Sequence, residues 1–274
     1  MSRPERPPDP ETTASALKHQ QAARSAARPP SRYTTRVELT DVARAGRDPT
    51  LVVLEGFHAI KHAVRFGAEL LGVWTADPLE LAALAARLAP DVTLEPVVVE
   101  VAELARVVPR AQVVAVARRP AQPDPDGILG TAGPAPVVML EDPRHLGNLG
   151  ACVRVAAAAG AAGVITTGRQ DPWHADALRG SGGLHFALPV ARSRVLRTGG
   201  RPLIALDPAG DPLRVAEVPP RALLAFGTER DGLSDELIAR ADARLALPMR
   251  PGVSSLNLAT AVSGVLFALT VRRD

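Results

Sequence analysis

The feature that most limits what this chain can fold into is a series of short, almost wholly apolar runs between residues 137 and 247, each followed by a polar turn. Val137–Leu140 reads VVML and Gly163–Thr166 reads GVIT; residues 202–206 read PLIAL, 222–226 ALLAF and 244–247 RLAL. A strand with one wet face alternates apolar and polar residues, whereas a continuous apolar run has to be buried on both faces. Residues 149–159 have helical spacing, and a helix over 256–272 is apolar on most faces. Strands alternating with helices predict an α/β unit with an open, mostly parallel sheet covered on both sides.

A smaller α/β unit is predicted before it. Leu51–Glu55 (LVVLE) reads as a strand, 56–66 as a helix opened by Gly56, 70–74 as a strand, and Pro78–Leu88 as a helix with proline at its start. Strands at 94–99 and 113–117 follow, separated by a short helix at 101–106. Residues 120–136 then hold five prolines and three glycines, a density that predicts a linker with neither helix nor strand. Residues 1–35, rich in Pro, Ala, Arg and Ser, predict a disordered, modestly basic tail. The expected organisation is a tail (1–35), a small α/β substrate-binding domain (36–120), a linker (121–136) and a larger domain (137–274).

Composition narrows the function classes. Hydrophobic residues make up 46% and aromatics only 3%, so the core is built from Ala, Val and Leu. The net charge is +3, and Lys18 and Lys61 are the only lysines. Arginine binds phosphate bidentately and stacks on bases, which suits an RNA surface, although coding bias produces the same excess. A single cysteine, Cys152, rules out an internal disulfide framework and fits a reducing compartment. No apolar run reaches the roughly 18–20 residues of a membrane span, and the N-terminal residues lack a secretory apolar core. A cytoplasmic protein is expected. The segment Glu141 to Gly150 (EDPRHLGNLG) matches neither GxGxxG nor GxxxxGK[ST], which disfavours dinucleotide enzymes and P-loop NTPases.

Three polar loops follow predicted strands, where open α/β sheets place their sites. The first carries Asn148 and leads to Arg154, flanked by Cys152, Val153 and Val155. That arginine either faces solvent or meets a specific anionic partner, because burying it unpaired costs several kcal/mol. The second is Gly227-Thr228-Glu229-Arg230-Asp231-Gly232-Leu233, whose bracketing glycines suit a tight loop. The third, 248–258 (PMRPGVSSLNL), carries Ser254, Ser255 and Asn257, which suit helix capping as well as a site.

Together these loops resemble the three signature motifs of the SpoU (TrmH-like) family of RNA ribose methyltransferases. Asn148-Leu149-Gly150-Ala151 with Arg154 is similar to N-L-G-A-x-x-R. Gly227, Glu229 and Gly232-Leu233 are similar to G-x-E-x-x-G-L. Leu247-Pro248-Met249 through Ser254-Ser255-Leu256-Asn257 is similar to I-P-M…S-S-L-N-V. The resemblance covers about residues 137–272, and a weaker one, from Leu54-Glu55-Gly56-Phe57-His58, extends over 50–120. It implies an α/β fold with a C-terminal trefoil knot, preceded by a small RNA-binding domain, in a homodimer. It implies S-adenosyl-L-methionine as methyl donor and a ribose 2′-hydroxyl of structured RNA as acceptor, ribosomal before transfer RNA. Arg154 would be the catalytic arginine, with Asn148, Glu229, Ser255 and Asn257 around it. Gly227, Thr228, Leu247 and Leu256 would contact the cofactor. The competing readings are a tRNA 2′-O-methyltransferase and an inactive knotted RNA-binding protein. Departures from the family pattern are His145 where relatives carry Asn, Ala157 where many carry Asp, and a short link from Val190 to Pro202.

Other candidates are weaker. His58 and His62 share a helix face at i,i+4, but no third ligand is evident beyond Glu55, so no metal is expected and a surface or RNA-facing pair is the better reading. Trp173 and His174 suit base stacking or a hydrophobic lid. Gly180-Ser181-Gly182-Gly183 is either a flexible entrance or a tight packing corner.

Overall fold

The computed structural model describes residues 37–121, 124–228 and 230–271, which fall in one compact unit. The tail expected over residues 1–35 lies outside the described residues.

A short helix α1 (Val42–Ala45) precedes the smaller sheet, built from β1 (Leu51–Glu55), β2 (Leu70–Thr75), β3 (Val97–Val98) and β4 (Val113–Arg118). Its order is β1-β4-β2-β3, antiparallel except for the β2–β3 pair. Helix α2 (Phe57–Arg65) follows β1, and α3 (Pro78–Leu88) and α4 (Val101–Val107) flank β3. Asp77 caps α3 through the Glu80 amide at 2.8 Å, with Pro78 in the first turn where its missing N–H is harmless. The strand expected over 94–99 shrinks to two exposed residues. Pro96 has no amide to give to the ladder, which confines pairing to Val97 and Val98 at the sheet edge.

The proline-rich stretch also departs from expectation. Helix α5 (Pro125–Leu129) forms there, capped by Asp124 on the Gly127 amide at 2.6 Å. Proline breaks helix interiors but suits the first turn, and Pro125 occupies that turn. Ile128 and Leu129 are buried beneath the larger sheet, which offsets the cost of ordering so short a helix.

The larger sheet comprises β5 (Val137–Leu140), β6 (Gly163–Thr166), β7 (Val190–Arg192), β8 (Leu203–Pro212), β9 (Leu223–Phe226) and β10 (Ala243–Ala246). All pairs are parallel, in the order β10-β8-β9-β5-β6-β7. Alternate residues face opposite layers. Val138, Leu140, Leu224 and Phe226 pack toward α6 (Leu146–Ala158) and α9 (Leu258–Val271), in a core continuous with the smaller sheet. Val137, Met139, Leu223 and Ala225 pack toward α5 and α8 (Asp235–Arg240). A further helix, α7 (Ala175–Ser181), packs on α6 and is capped by the His174 side chain.

The short link between β7 and β8 contains no helix. It crosses from one sheet edge past β6, β5 and β9, a lateral distance of about 19 Å at 4.8 Å per strand. Ten residues, fully extended, reach about 33 Å, so an extended connection suffices. Arg201 pins its end: the guanidinium, 3% exposed, donates to the carbonyls of Leu129, Thr131, Ala135 and Arg221 at 2.7–3.0 Å.

Candidate active site

Strands β8, β9 and β10 end side by side, and a cavity of about 380 Å³ opens at their carboxyl ends. Its first wall is a bulge. Arg244 pairs with Ala205 but the next residue, Leu245, pairs with Asp211, so residues 206–210 have no partner on β10, although Leu206 still pairs with Phe226 of β9. Bulges of this kind re-aim side chains next to sites, and here Leu206, Asp207 and Pro208 line the cavity. Asp207 is held by Arg244, whose Nε and Nη2 donate to Oδ1 at 3.1 and 2.5 Å.

The second wall is the loop after β9. Thr228 and Gly232 bond through their backbones in both directions, at 3.0 and 3.2 Å, folding the loop back on itself. Gly227 has to be glycine for this return: a Cβ there would meet the Gly232 carbonyl carbon at 2.0 Å. The loop is anchored by Glu141, which accepts from the Ser234 amide and hydroxyl at 2.7 Å each, and by an ion pair at 2.9 Å between Arg144 and the cavity-lining Asp231. Leu247, Met249, Ser254, Ser255 and Leu256 form the third wall, and Leu256 is 43% exposed. Asn257 caps the last helix through the Ala259 amide at 2.9 Å and donates to Asn148 Oδ1 at 3.2 Å. That bond ties the loop before α9 to the first turn of α6.

Five of the expected site residues therefore converge: Gly227, Thr228, Leu247, Ser255 and Leu256 line one cavity, with Asn148 and Asn257 joined nearby. Arg154 is not among the lining residues. It is exposed on α6, two turns beyond Asn148, beside His62 and Gly182. Glu229 lies outside the described residues. Asp207 and Pro208 also form the wall without standing out in the sequence; their signal is their place just after the apolar run 202–206.

Around Arg154 the two sheets meet. His62 on α2 has Nδ1 2.7 Å from the Gly182 carbonyl, which can only accept, so Nδ1 carries the proton. Burial, reinforced by Lys61 and Arg154, lowers the His58 pKa below its ordinary 6.5. Burial lowers that of His62 as well; the Gly182 bond opposes the shift and Lys61, Arg65 and Arg154 add to it. The Gly180–Gly183 turn is a packing corner: a Cβ on Gly183 would meet the Ala59 carbonyl oxygen at 2.1 Å. Deeper in this seam Arg119 forms two 2.9 Å bonds to Asp171 and lies 5.6 Å from the Trp173 ring centroid. Trp173 is buried, so neither stacking on RNA nor a lid describes it. Among the described residues no group of three or more His, Cys, Asp or Glu could hold a metal, and no helix is long and apolar enough to cross a membrane.

Comparison with known proteins gives this arrangement a family. A model described as the SpoU rRNA Methylase family matches residues 135–267. The 23S rRNA (adenosine(1067)-2′-O)-methyltransferase of Streptomyces azureus is 30% identical over 241 residues, 82% of this chain and 87% of that protein. The chain belongs to the SpoU rRNA methylase family. Another relative, the 23S rRNA (uridine(2479)-2′-O)-methyltransferase of Streptomyces viridochromogenes, is 31% identical over 150 residues, 50% of this chain and 52% of that one. The SpoU methyltransferase AviRb of Streptomyces viridochromogenes, solved in complex with AdoMet, superposes with a TM-score of 0.68 at 26% identity, over 86% of this chain and 94% of that one. Within this SpoU chain, the matched residues take in all six strands of the parallel sheet and every wall of the cavity.

Proposed function

We propose that this protein methylates a ribose 2′-hydroxyl in structured RNA, ribosomal RNA first, using S-adenosyl-L-methionine in the cytoplasm. The observation that carries the reading is the meeting of the second and third signature loops in one cavity at the carboxyl ends of parallel strands, in a chain of this family. The cavity suits the cofactor. Its volume is within the small-molecule range, and Leu206, Phe226, Leu247 and Leu256 supply apolar walls for an adenine. Asp207 and the Thr228 backbone supply polar groups. When bound, the cofactor supplies a methyl group already activated by its sulfonium charge.

The chain's own tasks are alignment and charge. Gly227, Thr228, Leu247 and Leu256 hold the donor. Asn148, Ser255 and Asn257 orient the target ribose, and Glu229 organises the second loop. A guanidinium is a poor proton acceptor, so Arg154 meets a phosphate or the developing alkoxide rather than acting as base. Its exposed position outside its own chain's cavity supports a homodimer in which one copy's Arg154 serves the other's donor. Phe267 and Val271 on α9, 44% and 78% exposed, offer apolar surface for that pairing. A trefoil knot fits the return of the chain from edge strand β10 to pack α9 on α6, three strands away. The smaller sheet serves as an RNA-binding domain.

The test is titration with S-adenosylhomocysteine followed by mass-spectrometric mapping of ribosomal RNA incubated with protein and donor. Ribose methylation is expected; base methylation only, or no uptake of the analogue, would overturn the reading. Arg154→Ala should abolish transfer, a loss of about a thousandfold or more, while analogue affinity stays within about twofold. Calorimetry showing both lost together would contradict that division.

A further inference from the structure

Helix α2 brings three basic side chains to the seam, and the proposed chemistry uses none of them. His58 and His62 stand one helical turn apart on the same face, and Lys61 lies between them, 8% exposed. The Gly182 carbonyl fixes the His62 proton on Nδ1, which leaves Nε2 on the far edge of the ring. Gly182 is where α2 meets α6: a side chain built there would come within 3.7 Å of His62 Nδ1 and 3.9 Å of Arg154 Nη1. With no side chain, the imidazole and the guanidinium approach the same spot from two helices.

The neighbouring acids are already engaged. Asp91 pairs with Arg65 at 2.5 Å, and Glu55 pairs with Arg179. Among the described residues, Arg154 and His58 form no ion pair with an acid, and Asp91, the acid that Lys61 acts on, is paired with Arg65. The result is a concentration of positive charge that adds to burial in lowering the pKa of both histidines. Lys61 and Arg154 act on His58, and Lys61, Arg65 and Arg154 act on His62, each disfavouring the imidazolium. An anion placed among them reverses that sign and favours protonation.

We propose that His58, His62 and Arg154 form a seat for a backbone phosphate of the RNA substrate, a seat that joins the smaller sheet to α6 and takes up protons as it fills. The proposal rests on the reading of RNA as substrate. A phosphodiester carries one negative charge and two acceptor oxygens, which meet the guanidinium fork and the imidazolium N–H groups. It gives the smaller sheet a defined role, because a phosphate held here fixes the register of RNA beside Arg154 without reading its sequence.

Imidazole NMR titrations of the full-length protein test this directly. They would be run alone, with inorganic phosphate and with a short structured RNA hairpin, over about pH 5.5 to 7.5. The hairpin should raise the titration midpoints of His58 and His62 by about one unit, with inorganic phosphate doing much less. In parallel, hairpin affinity should increase as the pH falls. The His58→Gln/His62→Gln variant should lose that pH dependence, about tenfold in affinity near pH 6, and about one to two units of the salt slope. His58→Gln alone, at an exposed position, should show part of each effect, which guards against a folding failure of the pair.

Unmoved midpoints in the hairpin complex would overturn the seat, as would a double variant with the wild-type pH and salt profile. Equal shifts with inorganic phosphate would make it a free-anion site instead. Loss of S-adenosylhomocysteine uptake with RNA binding intact would sink the methyltransferase reading and leave the seat standing.

Discussion

The cavity at the ends of β8, β9 and β10 and the seam between the two sheets are built by different means. Each cavity wall carries its own geometry: a five-residue bulge over 206–210, a loop that closes on itself from Thr228 to Gly232, and the run into the capped helix at Asn257. The seam is made of pairs far apart in the chain. His62 meets Gly182 across 120 residues, Arg119 meets Asp171 across 52, and Arg179 meets Glu55 across 124. Local backbone geometry shapes each cavity wall, which Glu141, Arg144 and Arg244 then anchor from a distance, whereas the seam has no such local frame and is held by long-range contacts throughout. The seam is therefore the part that should respond to pH and to loss of a single charge.

Acid should separate the two most strongly. His185 lies buried in the seam, where the Pro172 carbonyl 2.7 Å from Nε2 fixes the proton there and leaves Nδ1 2.7 Å from the Ser181 hydroxyl. Burial pushes its pKa down to about 3. Its folded-state value is thus depressed, so its contribution is complete above the unfolded value of about 6.5 and is lost progressively as pH falls toward 3. Over that window it should cost on the order of 4 kcal/mol, read as a falling urea midpoint. In His185→Gln the part of that slope due to this ring should disappear; an unchanged slope would remove His185 as its source.

Next in size is a change confined to the cavity. Gly227→Val should weaken S-adenosylhomocysteine by about a hundredfold, because the Gly232 backbone has no room to retreat. Hairpin affinity without cofactor should hardly move, and calorimetry together with filter binding would show whether the two regions separate as described. Smallest is Arg119→Met. Burial raises the Asp171 pKa, but Arg119 and the Trp173 amide together bring it below the ordinary carboxylate value. Removing Arg119 also loses its contact with the Trp173 ring. With Asp171 half-exposed the expected loss is about 1–2 kcal/mol by urea unfolding, with cofactor affinity unchanged.

The same contrast explains what could be read in the sequence. The parallel sheet was legible because runs such as VVML and ALLAF have no polar side to expose; Gly227, Thr228, Ser255 and Leu256, which line the cavity, were named by the resemblance of their loops to the family motifs. Helix α5 was not, since proline in a first turn and proline as a breaker look alike until Asp124 is seen capping it. The bulge in β8 depends on the Arg244–Asp207 pair, and the corner at Gly183 on an approach by Ala59, both invisible to periodicity. Arg154 stood out as an arginine in apolar company, but its neighbour His62 comes from a helix nearly a hundred residues earlier, which no local pattern reveals.

Arg201 carries one more consequence. It reaches back across 66 to 72 residues to the carbonyls of Leu129, Thr131 and Ala135, and forward across 20 to Arg221. None of those bonds can form until the polypeptide has closed loops of that length, which is an entropic hurdle met before any reward. The parallel sheet should consequently be the slow step of acquiring the native state, and a refolding time course of far-UV ellipticity would show helices gained well ahead of cofactor-binding competence.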